Sequence, residues 1–162
     1  MAVPMVDNPF AVLTLIAAPA VFTNASSVLA LGTGNRLARV VDRTRTLSKT
    51  LHTEPPPHAE VPMWQRQLER LKKRAALLVR AMGFFYTAIG SFAAASLVSL
   101  LGASLAGSRY DLSFHLIAGI SFAVGVVGFV CLSAGCTLLV SETRLALLNL
   151  SEEANLAESG LK

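Results

Sequence analysis

Three stretches of the chain, residues 8–35, 81–108 and 112–141, contain no Asp, Glu, Lys or Arg. Crossing a hydrocarbon core about 30 Å thick takes roughly 20 helical residues. Each stretch is therefore long enough to cross once with some tilt, and too short to cross twice. Helices of a soluble bundle show one polar face, which stretches of this length lack. The pattern predicts an all-α integral membrane protein with three transmembrane helices, at 10–34, 81–107 and 114–140, extended by a cytoplasmic helical bundle.

The intervening segments carry a helical period. Leu37, Val40, Val41, Thr44, Leu47 and Leu51 make one apolar line, with Arg36, Arg39 and Arg43 on a separate stripe, the signature of an amphipathic helix. Pro55, Pro56, Pro57 and Pro62 stop it, so a cytoplasmic hairpin over 35–80 is expected to turn at 53–62. Trp64, Leu68, Leu71, Ala75 and Leu78 then step by four and three, a heptad seam. No breaker separates that seam from the second span, which predicts one helix of roughly 45 residues. A C-terminal helix over 141–159 repeats the spacing in Val140, Thr143, Leu147, Leu150, Ala154 and Ala157, and Glu142, Glu152, Glu153 and Glu158 give it a negative bias. An acidic tail against a basic hairpin is expected to orient the helices through exposed pairs of about 0–1 kcal/mol each.

Composition agrees with lipid as solvent: 53% of the 162 residues are hydrophobic and 15% charged, with a mean hydropathy of +0.56. The net charge of +4 is unevenly spread. Between 35 and 80, Arg36, Arg39, Arg43, Arg45, Lys49, Arg66, Arg70, Lys72, Lys73, Arg74 and Arg80 face only Asp42, Glu54, Glu60 and Glu69. Basic residues near membrane ends stay inside, which puts the hairpin and the C-terminus in the cytoplasm and the N-terminus outside. The N-terminal flank carries Asp7 and no Lys or Arg, unlike a signal peptide. A juxtamembrane basic face is drawn to anionic lipid headgroups. No aromatic platform or reading motif accompanies it, so nucleic acid is not an expected partner.

The spans carry small faces. Ser91, Ala95, Ser99, Ala103 and Gly107 recur at every fourth position of the second, and the third contains Gly125 and Gly128. The first has a related stripe of Ala20, Thr23, Ser27, Ala30 and Gly34. In lipid, helices associate through close van der Waals contact, and three such faces lead to the expectation of a homo-oligomer. Pro19 is expected to kink the first span, with Thr14 a donor for the freed carbonyl. Thr23, Asn24 and Ser27 beside it either hydrogen-bond between helices or line a polar path for an ion or solute.

Other chemistry is thin. Ser104 and His115 stand near the outer ends of two spans, but neither an orienting third group nor oxyanion donors accompany them. Gly32-Thr33-Gly34-Asn35 lacks the Lys-Ser/Thr ending of a phosphate loop, and His52 and His58 lack partner ligands for a metal. Cys131 and Cys136 point to different helix faces and cannot bridge. No cofactor and no enzymatic activity are expected.

Asn8-Pro9-Phe10, the core Leu15 to Phe22, and the run from Asn35 through Arg36, Arg39, Asp42 and Arg43 to Arg45 resemble the bacterial membrane family known as domain of unknown function 2721, over residues 8 to about 150. The resemblance implies a small bacterial inner-membrane protein of three spans with no assigned activity. Pro19, Asn35, Arg36, Arg39, Asp42, Arg43 and Arg45 are its motif positions. The expectation is a non-enzymatic, oligomeric membrane scaffold. It would present Arg36, Arg39, Arg43 and Arg45 to lipid headgroups or a partner, with Asp42 pairing locally to hold them. The alternative is a small oligomeric channel or transporter lined by the polar residues near Pro19.

Overall fold

The computed structural model describes the backbone of residues 9–53, 61–105 and 111–159, and the side chains of 17–53, 61–102 and 116–148. All of it is helical: α1 (Pro9–Thr53), α2 (Val61–Leu105) and α3 (Asp111–Ser159), of 45, 45 and 49 residues. Pro9 opens α1, where the missing N–H has no intrahelical partner to lose. Pro19 lies inside the same helix, which continues through it. The Thr23 hydroxyl donates to the Pro19 carbonyl at 2.8 Å; Thr14 lies outside the described side chains.

Two helices, α2 over Val61–Gly102 and α3 over Leu116–Leu148, are long and apolar enough to cross a membrane among the described residues. The most apolar part of α3 is only 6% buried. Phe122, at 75% exposure, and the similarly open Leu116, Val127 and Val130 lie on its surface. Apolar area of this kind costs about 25 cal/mol per Å² against water and nothing comparable against hydrocarbon.

The buried positions follow a seven-residue interval on each helix. On α1 the row is Ser26, Thr33, Val40 and Leu47, with Ala30 buried beside it; on α3 it is Ser121, Gly128, Gly135 and Glu142. On α2 one row is Leu71, Leu78, Phe85, Phe92 and Ser99, and a second is Ala81, Ala88, Ala95 and Gly102. Alternating steps of three and four keep residues on one face, whereas a constant step of four drifts around a helix of 3.6 residues per turn. Of the expected every-fourth row, Ala95 and Ser99 are therefore buried and Ser91 is half-buried. Ala103 and Gly107 lie outside the described side chains.

The expected seam of α3 needs correction. Val140, Thr143 and Leu147 are exposed, while Leu139 packs on the core and Glu142 is buried. A carboxylate occupies the inward position, and the periodicity of apolar residues alone placed it outside. Leu150, Ala154 and Ala157 lie outside the described side chains.

The helices contribute to two compact units, one of residues 1–30 and 84–134, the other of 31–83 and 135–162. All charged residues except Asp7, Arg109 and Asp111 belong to the second. In the first unit, the Phe22 ring stacks on Phe92 at 5.3 Å and meets Phe129 edge-on at 6.2 Å. Ser121 donates to the Ala95 carbonyl at 3.0 Å, so the 2.6 Å contact to Ser99 is one in which Ser99 donates. Both hydroxyls of that α2–α3 contact are thereby satisfied away from water, as an apolar medium requires. In the second unit Val40, Leu47, Leu71 and Leu78 form the core, with Leu37, Trp64, Leu68, Ala75 and Leu139 packed against it.

Two glycines of α3 differ in what surrounds them. A Cβ on Gly128 would meet three Phe92 ring atoms at 3.0–3.2 Å, whereas one on Gly125 meets nothing within 4 Å. The Phe92 ring is held by Phe22 and has little room to yield. Gly128→Ala is expected to lower stability by about 1 kcal/mol despite the gain in helix propensity, and Gly125→Ala to be neutral or stabilising. Unfolding of the detergent-solubilised chain measures both. Equal stability of the two variants would show that the ring moves aside.

Candidate functional site: an arginine-lined hollow around Glu142

Glu142 is the first ionised residue after the uncharged stretch of α3, and Arg36 is the first after that of α1. Both belong to the second unit, where Glu142 is 2% exposed. Arg74 of α2 donates to its Oε1 twice, from Nε at 2.8 Å and from an Nη at 2.6 Å. Oε2 is left to the Arg36 guanidinium, 3.6 Å away. Arg36 also reaches the Thr143 hydroxyl at 3.4 Å, and that hydroxyl donates to the Leu139 carbonyl at 2.9 Å. One carboxylate thus joins all three helices of the unit.

Around this contact lies an open hollow of about 390 Å³, whose polar lining is Arg36, Arg39, Arg43, Arg74, Glu142 and Thr143. Arg36, Arg39 and Arg43 are three and four residues apart, which places them on one face of α1. Arg74 arrives from α2 because it neighbours the Leu71 and Leu78 core positions. Four guanidiniums face one carboxylate. Arg39 and Arg43 are exposed and form no ion pair among the described residues.

The family model described as Protein of unknown function (DUF2721) matches residues 16–152, a span that includes every residue of the hollow. The chain belongs to this family. No curated protein and no solved structure matches it.

Within this DUF2721 chain the motif residues separate. Arg36, Arg39 and Arg43 come together in the hollow, while Arg45 is exposed and lies apart from it. Asp42, expected to hold the arginines, is exposed, and its carbonyl accepts the Thr46 hydroxyl. The carboxylate that meets the arginines is Glu142, and Arg74 joins them from the second helix. Sequence reasoning set the acidic tail, Glu142 included, against the basic hairpin through exposed pairs; the pair found is instead buried at Glu142. The signal available was positional: Glu142 continues the row of Ser121, Gly128 and Gly135 at seven-residue steps.

The polar residues near Pro19 are engaged locally. Thr23 and Ser27 each donate to the carbonyl four residues back, at 2.8 and 2.9 Å, and Asn24 is exposed. Ser26, outside the expected set, is fully buried and donates to the Phe22 carbonyl at 2.7 Å. The Ser104 hydroxyl and the His115 ring lie outside the described side chains.

Removing the charge of Glu142 leaves Arg74 without its partner. Breaking a fully buried pair costs roughly 3–5 kcal/mol. Arg36 and Arg74 are 53% and 22% exposed, so part of their hydration survives and Glu142→Gln is expected to cost about 2 kcal/mol. Unfolding of the detergent-solubilised chain, in a double-mutant cycle with Arg74→Met, measures the coupling. A loss under about 0.5 kcal/mol would show that the contact behaves as an ordinary surface pair.

Proposed function

We propose that this chain is a non-enzymatic integral membrane scaffold of the bacterial inner membrane. On this reading it crosses three times, with α1 joining the two apolar helices, the N-terminus outside and the C-terminus inside. Residues 35–80 and 141–159 form a cytoplasmic platform, and its basic face is drawn to the anionic leaflet. Contact between small faces of neighbouring copies makes it a homo-oligomer.

The observation that carries the reading is the fixed arginine face. Glu142 holds Arg36 and Arg74 in place while Arg39 and Arg43 stay open. An arrangement that spends a buried carboxylate on positioning guanidiniums, with four of them lining one hollow, fits the binding of an anionic surface. The hydroxyls of Thr23 and Ser27 are already donated to carbonyls of their own helix, which leaves those donors unavailable to an ion or solute.

The chain is expected to remain with membranes through alkaline extraction. Protease added outside sealed cells should leave the 53–62 turn intact, and inverted vesicles should expose it. The purified chain should stay silent in planar bilayers over a range of voltages. Release into the soluble fraction, or cleavage of the turn from outside, would overturn the placement. A conductance abolished by Asn24→Leu would replace the scaffold with a channel.

A further inference from the structure

We propose that the hollow is a discrete site for one phosphodiester headgroup of an anionic glycerophospholipid, with Arg39 and Arg43 as its direct ligands. The inference rests on the membrane placement and adds to it: the attraction is concentrated at one stoichiometric site instead of being spread over the basic face.

Four observations on the second unit converge. First, the lining carries an excess of positive charge, since Glu142 is paired with Arg74 and Arg36 and is one carboxylate among four guanidiniums. Second, the two open guanidiniums are four residues apart on one helix face, roughly 5–6 Å between their Cβ atoms, so their forks can each take one of the two non-bridging oxygens of a phosphodiester. Guanidinium forks suit phosphate better than lysine does, and such charge-assisted bonds are about twice as strong as neutral ones.

Third, about 390 Å³ lies within the roughly 300–1,000 Å³ typical of small-molecule sites. That leaves room for a headgroup around the phosphate. Fourth, two positions about one turn from the hollow, on the side of the uncharged stretches, are bare or apolar. Gly32, one turn before Arg36, has open space where a side chain would stand, and Val140, just before Thr143 on α3, is exposed. An acyl chain attached to the phosphate has a path there, whereas a soluble phosphate would gain nothing from it.

Arg45 supplies the control, because it is exposed, carries the same charge and lies outside the hollow. Native mass spectrometry of the full chain in detergent should count one retained phosphatidylglycerol at saturation, in clear preference to phosphatidylcholine. Arg39→Gln and Arg43→Gln should each weaken that binding about tenfold, equivalent to about 1.4 kcal/mol, and Arg45→Gln less than about twofold. Circular dichroism checks that each variant keeps its helix content; both replaced side chains are exposed and make no ion pair among the described residues.

Equal weakening by all three substitutions, or equal retention of phosphatidylcholine, would overturn the discrete site and leave the membrane scaffold standing. Inorganic phosphate held as tightly as phosphatidylglycerol would reassign the hollow to a soluble phosphate and overturn the lipid assignment. Extraction of the chain as a soluble protein would remove the placement on which the inference rests, a result separable from either of these.

Discussion

The structure of the second unit depends on where Glu142 finds its charge partners. Removing a carboxylate from water costs several kcal/mol unless charge and hydrogen bonds replace the hydration. Here Oε1 accepts two guanidinium N–H groups from one arginine and Oε2 faces a second arginine. The contact is defined in rotation and in height. If α3 slipped by one seven-residue step, Gly135 or Asn149 would stand where Glu142 stands, and Arg74 would face no carboxylate. Polar residues at seam positions are known to set register at some cost in stability, and this one supplies what the rest of its row cannot.

That row explains the need. Ser121, Gly128 and Gly135 are too small to interlock as large side chains do, so the packed face of α3 offers closeness without much shape. Many of its bulky residues, among them Phe122, Val127 and Val130, are exposed. In hydrocarbon this is the economical arrangement, because burying a large apolar side chain between helices gains little over leaving it in lipid, while small residues let backbones approach. Shape specificity in the first unit comes instead from Phe92, whose ring lies between Phe22 and the bare backbone of Gly128. Charge specificity in the second comes from Glu142.

The same inversion decides what could be read from the chain beforehand. Absence of charge marked the apolar stretches, and two helices satisfy the membrane criterion directly. The α2 residues Trp64, Leu68, Leu71, Ala75 and Leu78 form or adjoin the second unit's core, because there the seam is made of large apolar residues and periodicity sees them. On α3 the seam is small residues plus a carboxylate, so a search for apolar recurrence selected the outward row through Val140, Thr143 and Leu147. Asp42 was the nearest acid to the arginines in sequence, three residues from Arg39, yet it is exposed and forms no ion pair among the described residues. The acid that meets them in space is separated from Arg36 by the whole of α2. Arg36, Arg39 and Arg43 were legible as a stripe, and the acidic tail as its counterpart; that Glu142 is the buried acid and Arg74 its partner became visible only when three helices were placed together.

The division of labour among the four guanidiniums follows from entropy as much as charge. An arginine free to sample its rotamers loses up to about 2 kcal/mol when a ligand fixes it, and a site made of four such side chains would bind poorly for that reason alone. Arg74 and Arg36 have already lost much of this freedom to Glu142 during folding, and their charge remains at the edge of the hollow. Arg39 and Arg43, exposed and without an ion pair among the described residues, keep both freedom and donors. A buried carboxylate can therefore serve two ends at once: it fixes the meeting of three helices, and it pre-organises half of a cationic surface so that the other half carries the whole ordering cost of binding.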